Sequence, residues 1–168
     1  MPDDGMQHEV VRGELRTMPP PGYEHEVVAG EILFAVKSFV KLHELGQVSG
    51  AAGFLLERSP DVVRAPDFAF IAAKRLPPGR PSSRYLDFPP DLVAEVISPN
   101  DSASDVQEKI EEWLQFGVRA VWAFYPTTQS VWVHRSKTDN VRLGPDDMLD
   151  GGDILPEFHC RVGDLFLG

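Results

Sequence analysis

The stretch 90–122 limits what this chain can fold into more than any other. It reads PDLVAEVISPN, then DSASDVQEKIEEWLQFGV, then RAVW. Residues 92–97 form a near-continuous apolar run, the mark of a central strand covered on both faces. Ser98-Pro99-Asn100-Asp101 ends the run. A helix is expected next, from Ser102 or Ser104 to Phe116, with the spacing of a capping box at Ser104 and Gln107. Val106, Ile110, Trp113 and Leu114 give it one apolar stripe, and Gly117 stops it. An apolar strand then begins at Ala120. A single acid, Glu95, interrupts the first strand. Burying a carboxylate is costly unless a metal ion or a partner base offsets it, or a catalytic role demands it. The stretch therefore reads as the floor of an active site.

The remaining elements fall around it. Residues 8–11 and 14–18 flank Arg12-Gly13 and read as a short hairpin after a frayed tail at 1–7. Pro19-Pro20-Pro21-Gly22 breaks the chain. A helix is expected over 24–45, with Val28, Ile32, Ala35, Phe39 and Leu42 on one buried stripe and Gly46 as its stop. His25 falls on that stripe and Glu31 on its flank. Two short strands are expected within 47–57, separated by Gly53. Residues 62–73 read as one strand with Asp67 within it, and 76–90 as a Pro-rich surface loop. Strands over 120–125 and 130–135 are joined by PTTQ as a hairpin, and short strands close the sheet after residue 140. The order predicts a mixed α/β sheet with helices packed against it.

The length of 168 residues suggests one domain spanning 1–168. No apolar run approaches the roughly 20 residues of a membrane span, and the acidic start lacks a secretory h-region. A lone cysteine, Cys160, excludes an internal disulfide and suits a reducing cytoplasmic setting. It also lacks the spacing of a zinc site. The net charge of −10 argues against broad nucleic-acid binding, but a localised basic surface is still open. Lys74, Arg75, Arg80 and Arg84 supply one locally basic segment, readable as a solvated loop or as a substrate-facing one.

Asp67 and Glu95 are 28 residues apart, each in a strand that otherwise wants burial, and Lys109 follows 14 residues after Glu95. At 100° per residue, Lys109 falls roughly 80° from the centre of the helix stripe, at the edge of the core. Asp105, one turn before it, is a candidate ion-pair partner. Two carboxylates from adjacent strands suit a hard divalent cation, and a nearby ammonium can orient water or offset developing charge. The same residues also fit a structural network, with the acids paired to buried arginines such as Arg64 or Arg119.

RAPDFAFI, PDLVAEVISPNDSASDVQEKIEEWLQFGV and VWAFYP resemble the Uma2 (DUF820) family, which is assigned to the PD-(D/E)XK nuclease superfamily. VVRGELRTMPPPGYEHEVVAGEI and ILPEF…VGDLF follow the same pattern, so the resemblance covers almost the whole chain. It implies a restriction-endonuclease-like core of order αβββαβ with an N-terminal β-hairpin. It implies Asp67 and Glu95 as metal-binding acids, Lys109 as the catalytic lysine, and Glu14 and His25 as accessory positions. The superfamily's usual lysine position, two residues after the acid, holds Ile97 here, so Lys109 stands in from the following helix. Tyr125 replaces the usual aspartate before Pro126, and Trp113 replaces a usual tyrosine, a change that reads as packing. The expected function is Mg²⁺- or Mn²⁺-dependent endonucleolytic hydrolysis of DNA, with no membrane partner and a possible homodimer. The alternative is a non-catalytic nucleic-acid-binding or regulatory domain on the same fold.

Overall fold

A computed structural model describes residues 6–79 and 85–166 of the chain. The chain opens with β1 (Gln7–Val11) and β2 (Glu14–Met18), an antiparallel hairpin in which Val11 faces Glu14. Its two turn residues, Arg12 and Gly13, both have positive φ (51° and 82°). That is the mirror-image turn whose twist matches a two-residue hairpin.

Helix α1 (Tyr23–Leu42) follows the proline run. Its buried residues are Val28, Ile32, Val36 and Val40, a strict i, i+4 row. The expected stripe through Ala35, Phe39 and Leu42 is thus rotated: Ala35 and Phe39 are only partly buried, and Leu42 is 79% exposed. The helix also ends earlier than Gly46. Glu44 takes the left-handed conformation (φ 53°), and the Leu45 N–H donates to the Val40 carbonyl. This is a Schellman stop made without glycine. Gly46 instead opens β3 (Gly46–Ser49), where a Cβ would sit 2.0 Å from the Ile71 carbonyl oxygen.

Next come β4 (Phe54–Glu57), β5 (Val62–Arg64) and β6 (Phe68–Ala72). The strand expected over 62–73 is two strands in two different sheets, broken at Ala65-Pro66-Asp67. Proline cannot donate to a ladder, and this break lets the chain change sheets. Strand β7 (Leu92–Val96) is buried at all five positions. Helix α2 (Ala103–Gln115) follows, then β8 (Ala120–Tyr125), β9 (Ser130–His134) and β10 (Asn140–Leu143). A two-stranded sheet of β11 (Met148–Asp150) and β12 (His159–Arg161) lies apart from the main sheet.

The main sheet runs β10-β9-β8-β7-β6-β3, and only β7 and β8 are parallel. Their connection is α2, as a parallel pair requires a crossover. The second sheet runs β2-β1-β5-β4. Alternation along β7 sorts the core. Leu92, Ala94 and Val96 join α1 and the C-terminal segment on one face, while Val93 joins α2 and Phe54 of the second sheet on the other. Glu95 shares the parity of Val93 and so points toward α2 and the second sheet. Among the described residues, no helix is long and apolar enough to cross a membrane.

Candidate active site

Helix α2 sets the geometry. Its N-cap is Ser102, whose hydroxyl accepts from the Asp105 N–H at 3.1 Å, in place of the expected Ser104–Gln107 box. Its C-terminus is the expected one. Gly117 (φ 97°) donates to Leu114, and Val118 donates to Trp113. Between these ends, Ile110 and Trp113 bury against the sheet face that carries Glu95. Lys109 sits just beside them, 25% exposed at its side chain.

Two groups bond Glu95, and a third bonds the strand that carries it. The Lys109 ammonium donates to Oε2 at 2.9 Å, and the Trp113 indole N–H donates to Oε1 at 2.8 Å. Asp67 accepts the next backbone N–H of β7, that of Val96, at 2.7 Å through Oδ2. His25, from the first turn of α1, places Nε2 3.2 Å from the same Asp67 oxygen. Its Nδ1 is buried without a hydrogen-bond partner, 3.5 Å from a Glu26 carboxylate oxygen. Asp67, Glu95, Lys109 and His25 are therefore brought together. Glu14 is not: it is exposed at the start of β2, and none of the cluster's bonds reaches it. Asp105 is exposed too, so Lys109 looks across to β7 rather than back along its own helix.

The hairpin supplies a different acid. Glu9 is 3% exposed, and its Oε1 lies 3.6 Å from Lys109 Nζ. The same oxygen accepts the Ala65 N–H at 3.0 Å, and Oε2 accepts from Arg64 at 2.6 Å. Arg64 also grips Glu112 of α2 at 2.5 Å. Sequence reasoning missed Glu9, Glu112 and the polar role of Trp113. Period-2 alternation was the available signal for Glu9, because it shares a strand face with the buried Val11. The buried arginine Arg64 does pair with acids, but with Glu9 and Glu112 rather than Asp67 or Glu95. Arg119 pairs with exposed Asp153.

Charge balance differs across the cluster. Burial, with the nearby charges of Asp67 and Glu9, outweighs Lys109 and lifts the Glu95 carboxyl to about 7. Burial opposes the Lys109 ammonium, but Glu95, Glu9 and Asp67 together hold its pKa above the ordinary lysine range. Burial also opposes the Glu9 carboxylate, yet Lys109, Arg64 and the Ala65 N–H keep it below the usual range. For His25, Asp67 and Glu26 overcome burial and raise the imidazole.

The neighbourhood holds four carboxylates (Glu9, Asp67, Glu95, Glu112) against two permanent cations (Arg64, Lys109), an excess of two negative charges. That excess and the oxygen donors fit a hard divalent cation, which would draw Glu95 back to its charged form. Among the described residues, however, no three His, Cys, Asp or Glu side chains are already arranged to hold a metal ion. Asp67 and Glu95 fit such an ion by chemistry and charge rather than as a finished cage.

Tyr125 lies half-buried on the α2 face of the sheet, its hydroxyl raised by burial, and Ile97 packs on that face too. In the basic segment, Arg75 is a structural clamp. It binds Asp91 at 3.0 Å and the Pro89 carbonyl at 2.7 Å, and lies over the Phe88 ring. Lys74 is exposed, and Arg80 and Arg84 lie outside the described residues.

The fold is thus a mixed α/β sheet with an acid–lysine cluster at the strand–helix crossover. The solved structure of a "putative nuclease belonging to DUF820" from Anabaena variabilis ATCC 29413 shares this fold. Its TM-score is 0.87 at 22% identity, over 99% of this chain and 93% of that one. The chain belongs to the Uma2 family, described as "Putative restriction endonuclease", whose model matches residues 1–163. No curated protein matches the sequence.

Proposed function

We propose that the chain is a metal-dependent endonuclease that hydrolyses DNA phosphodiester bonds at the Asp67–Glu95–Lys109 cluster. The observation that carries this reading is the Lys109 ammonium held 2.9 Å from Glu95 while Asp67 binds the backbone of the same strand. Asp67 and Glu95 would hold Mg²⁺ or Mn²⁺. Such an ion, when bound, supplies Lewis-acid activation of water and neutralises charge on a phosphoryl group. Lys109 stays protonated at neutral pH, so it acts as a donor that orients water or a phosphate oxygen and not as a base. Trp113 fixes the Glu95 carboxylate from the apolar side and leaves its other oxygen toward Lys109. Glu9 holds Lys109 from the hairpin. His25 fixes Asp67 and, when protonated, lowers the local negative charge.

One observation favours a second reading, a DNA-binding domain without cleavage. Both Glu95 oxygens already accept hydrogen bonds within the protein, which competes with coordination. The deciding experiment is cleavage of supercoiled plasmid by purified protein with Mg²⁺, with Mn²⁺ and with chelator. The nuclease reading expects cation-dependent nicking or linearisation that Asp67→Ala and Lys109→Ala both abolish. Retarded but intact plasmid under every cation condition supports the second reading and overturns the first.

A further inference from the structure

We infer that the outer face of α1 is the interface of a two-fold symmetric dimer of this chain. Val28, Ile32, Val36 and Val40 take one side of the helix into the core, and Tyr23, Val27, Gly30, Phe34, Ser38 and Lys41 lie on the opposite side. That outer row should be polar in a helix that meets only water. Instead Tyr23 and Phe34 on that row are 87% and 72% exposed, and Leu42 on its flank is 79% exposed. Gly30, in the helix interior, costs about 1 kcal/mol relative to alanine. Nothing lies within 4 Å of where its Cβ would be, so it makes an open notch in this row.

Charge and spacing favour a second copy as the occupant. The exposed acids of α1, Glu24 and Glu26, lie at its N-terminal end, and the exposed lysines, Lys37 and Lys41, lie toward its C-terminal end. Two such helices laid antiparallel across a two-fold axis bring unlike ends together. Centring the pair between Gly30 and Phe34 seats each Phe34 against the partner's notch. The same register sets Glu24 against Lys41 and Glu26 against Lys37 of the second copy. It also brings Leu42 to a groove of about 270 Å³ lined by Tyr23, Val27, Pro126, Gln129 and Phe166. Each contact occurs twice, as an isologous interface requires. A parallel pairing would set like charges side by side and leave Leu42 far from that groove. The dimer would clamp the end of α1 from which His25 reaches Asp67. The inference does not depend on the nuclease reading.

The test is sedimentation of the full chain. Wild type should run at twice the 18.7 kDa chain mass. Phe34→Glu should run as monomer with an unchanged circular dichroism spectrum, since Phe34 is exposed. Glu24→Lys and Lys41→Glu each set like charges across the axis in their own homodimers, so each alone should be monomeric. Mixed together, each chain carries the charges its partner lacks, and a dimer should return. A monomeric wild type at about 100 μM, a dimeric Phe34→Glu, or a mixture that stays monomeric overturns the inference.

Discussion

Two buried charge clusters lie within one side chain's reach of each other, and they differ in balance. Arg64, Glu9 and Glu112 form the first, tying the hairpin, β5 and α2 together. Its arginine answers two acids with short contacts. Burial opposes the Arg64 guanidinium, but Glu9 and Glu112 raise it, and Glu9 is held below its usual range. Lys109, Glu95 and Asp67 form the second. There one lysine faces several acids, and Glu95 is pushed to about 7. Each cluster sets one cation against two acids, but in the first the guanidinium bonds both acids and Glu9 keeps its charge, so the balance is struck within the protein. In the second, Glu95 holds a proton more readily than a free carboxyl, which marks it as a candidate functional acid. Glu9 touches both, so the balanced cluster serves as a buttress for Lys109.

The largest expected effect lies in the balanced cluster. Arg64→Ala strands Glu9 and Glu112 in the interior and should cost about 3–5 kcal/mol in urea unfolding. A loss below about 1 kcal/mol would show that water reaches these acids and would erase the contrast. Glu95→Gln should act in the opposite direction. Its folded pKa of about 7 stands above the ordinary 4.5, so the native state holds the proton more tightly than the unfolded one. This term leaves stability untouched below pH 4.5 and lowers it as pH rises through 4.5 to 7. At pH 8 the glutamine variant should be more stable than wild type by about 1–3 kcal/mol, and near pH 4 nearly equal. A wild type with a flat profile over that window would place Glu95 among the balanced acids.

Trp113→Phe removes one donor from Glu95 and leaves a ring in place. It should cost about 1–2 kcal/mol and move the Glu95 titration upward, read as a shift of that stability profile to higher pH. An unmoved profile would return Trp113 to a purely packing role. Glu14→Ala should change stability by less than about 0.5 kcal/mol and leave plasmid cleavage intact. Loss of cleavage in that variant would show that the acid facing the site comes from β2 instead of β1.

The sequence carried the fold far because its strongest signals are local. The apolar run of β7, the Gly117 stop and the Arg12-Gly13 turn each depend on a few neighbouring residues, and all stand in the structure. Errors came where a distant contact overruled local preference. Gly46 has the look of a helix stop, but its lack of a side chain serves a close approach to Ile71, and Glu44 takes the left-handed turn. The strand over 62–73 looked continuous because burial is the same on both sides of Pro66, although the two halves join different sheets.

The candidate site shows the same division. Glu95 was legible because an acid in an apolar strand violates its surroundings, and Asp67 because it lies between two apolar runs, although it falls in the break between β5 and β6. Lys109 was legible as an edge position by helical angle alone. That Lys109 reaches Glu95 and Glu9, that Trp113 holds Glu95, and that Arg64 joins the hairpin to α2 were decided only by folding. Those contacts span from 14 residues of sequence, for Lys109–Glu95, to 100, for Lys109–Glu9. A sequence states which groups need partners, because burial and periodicity are local properties. Which partner arrives depends on how two sheets and a crossover helix close on one another.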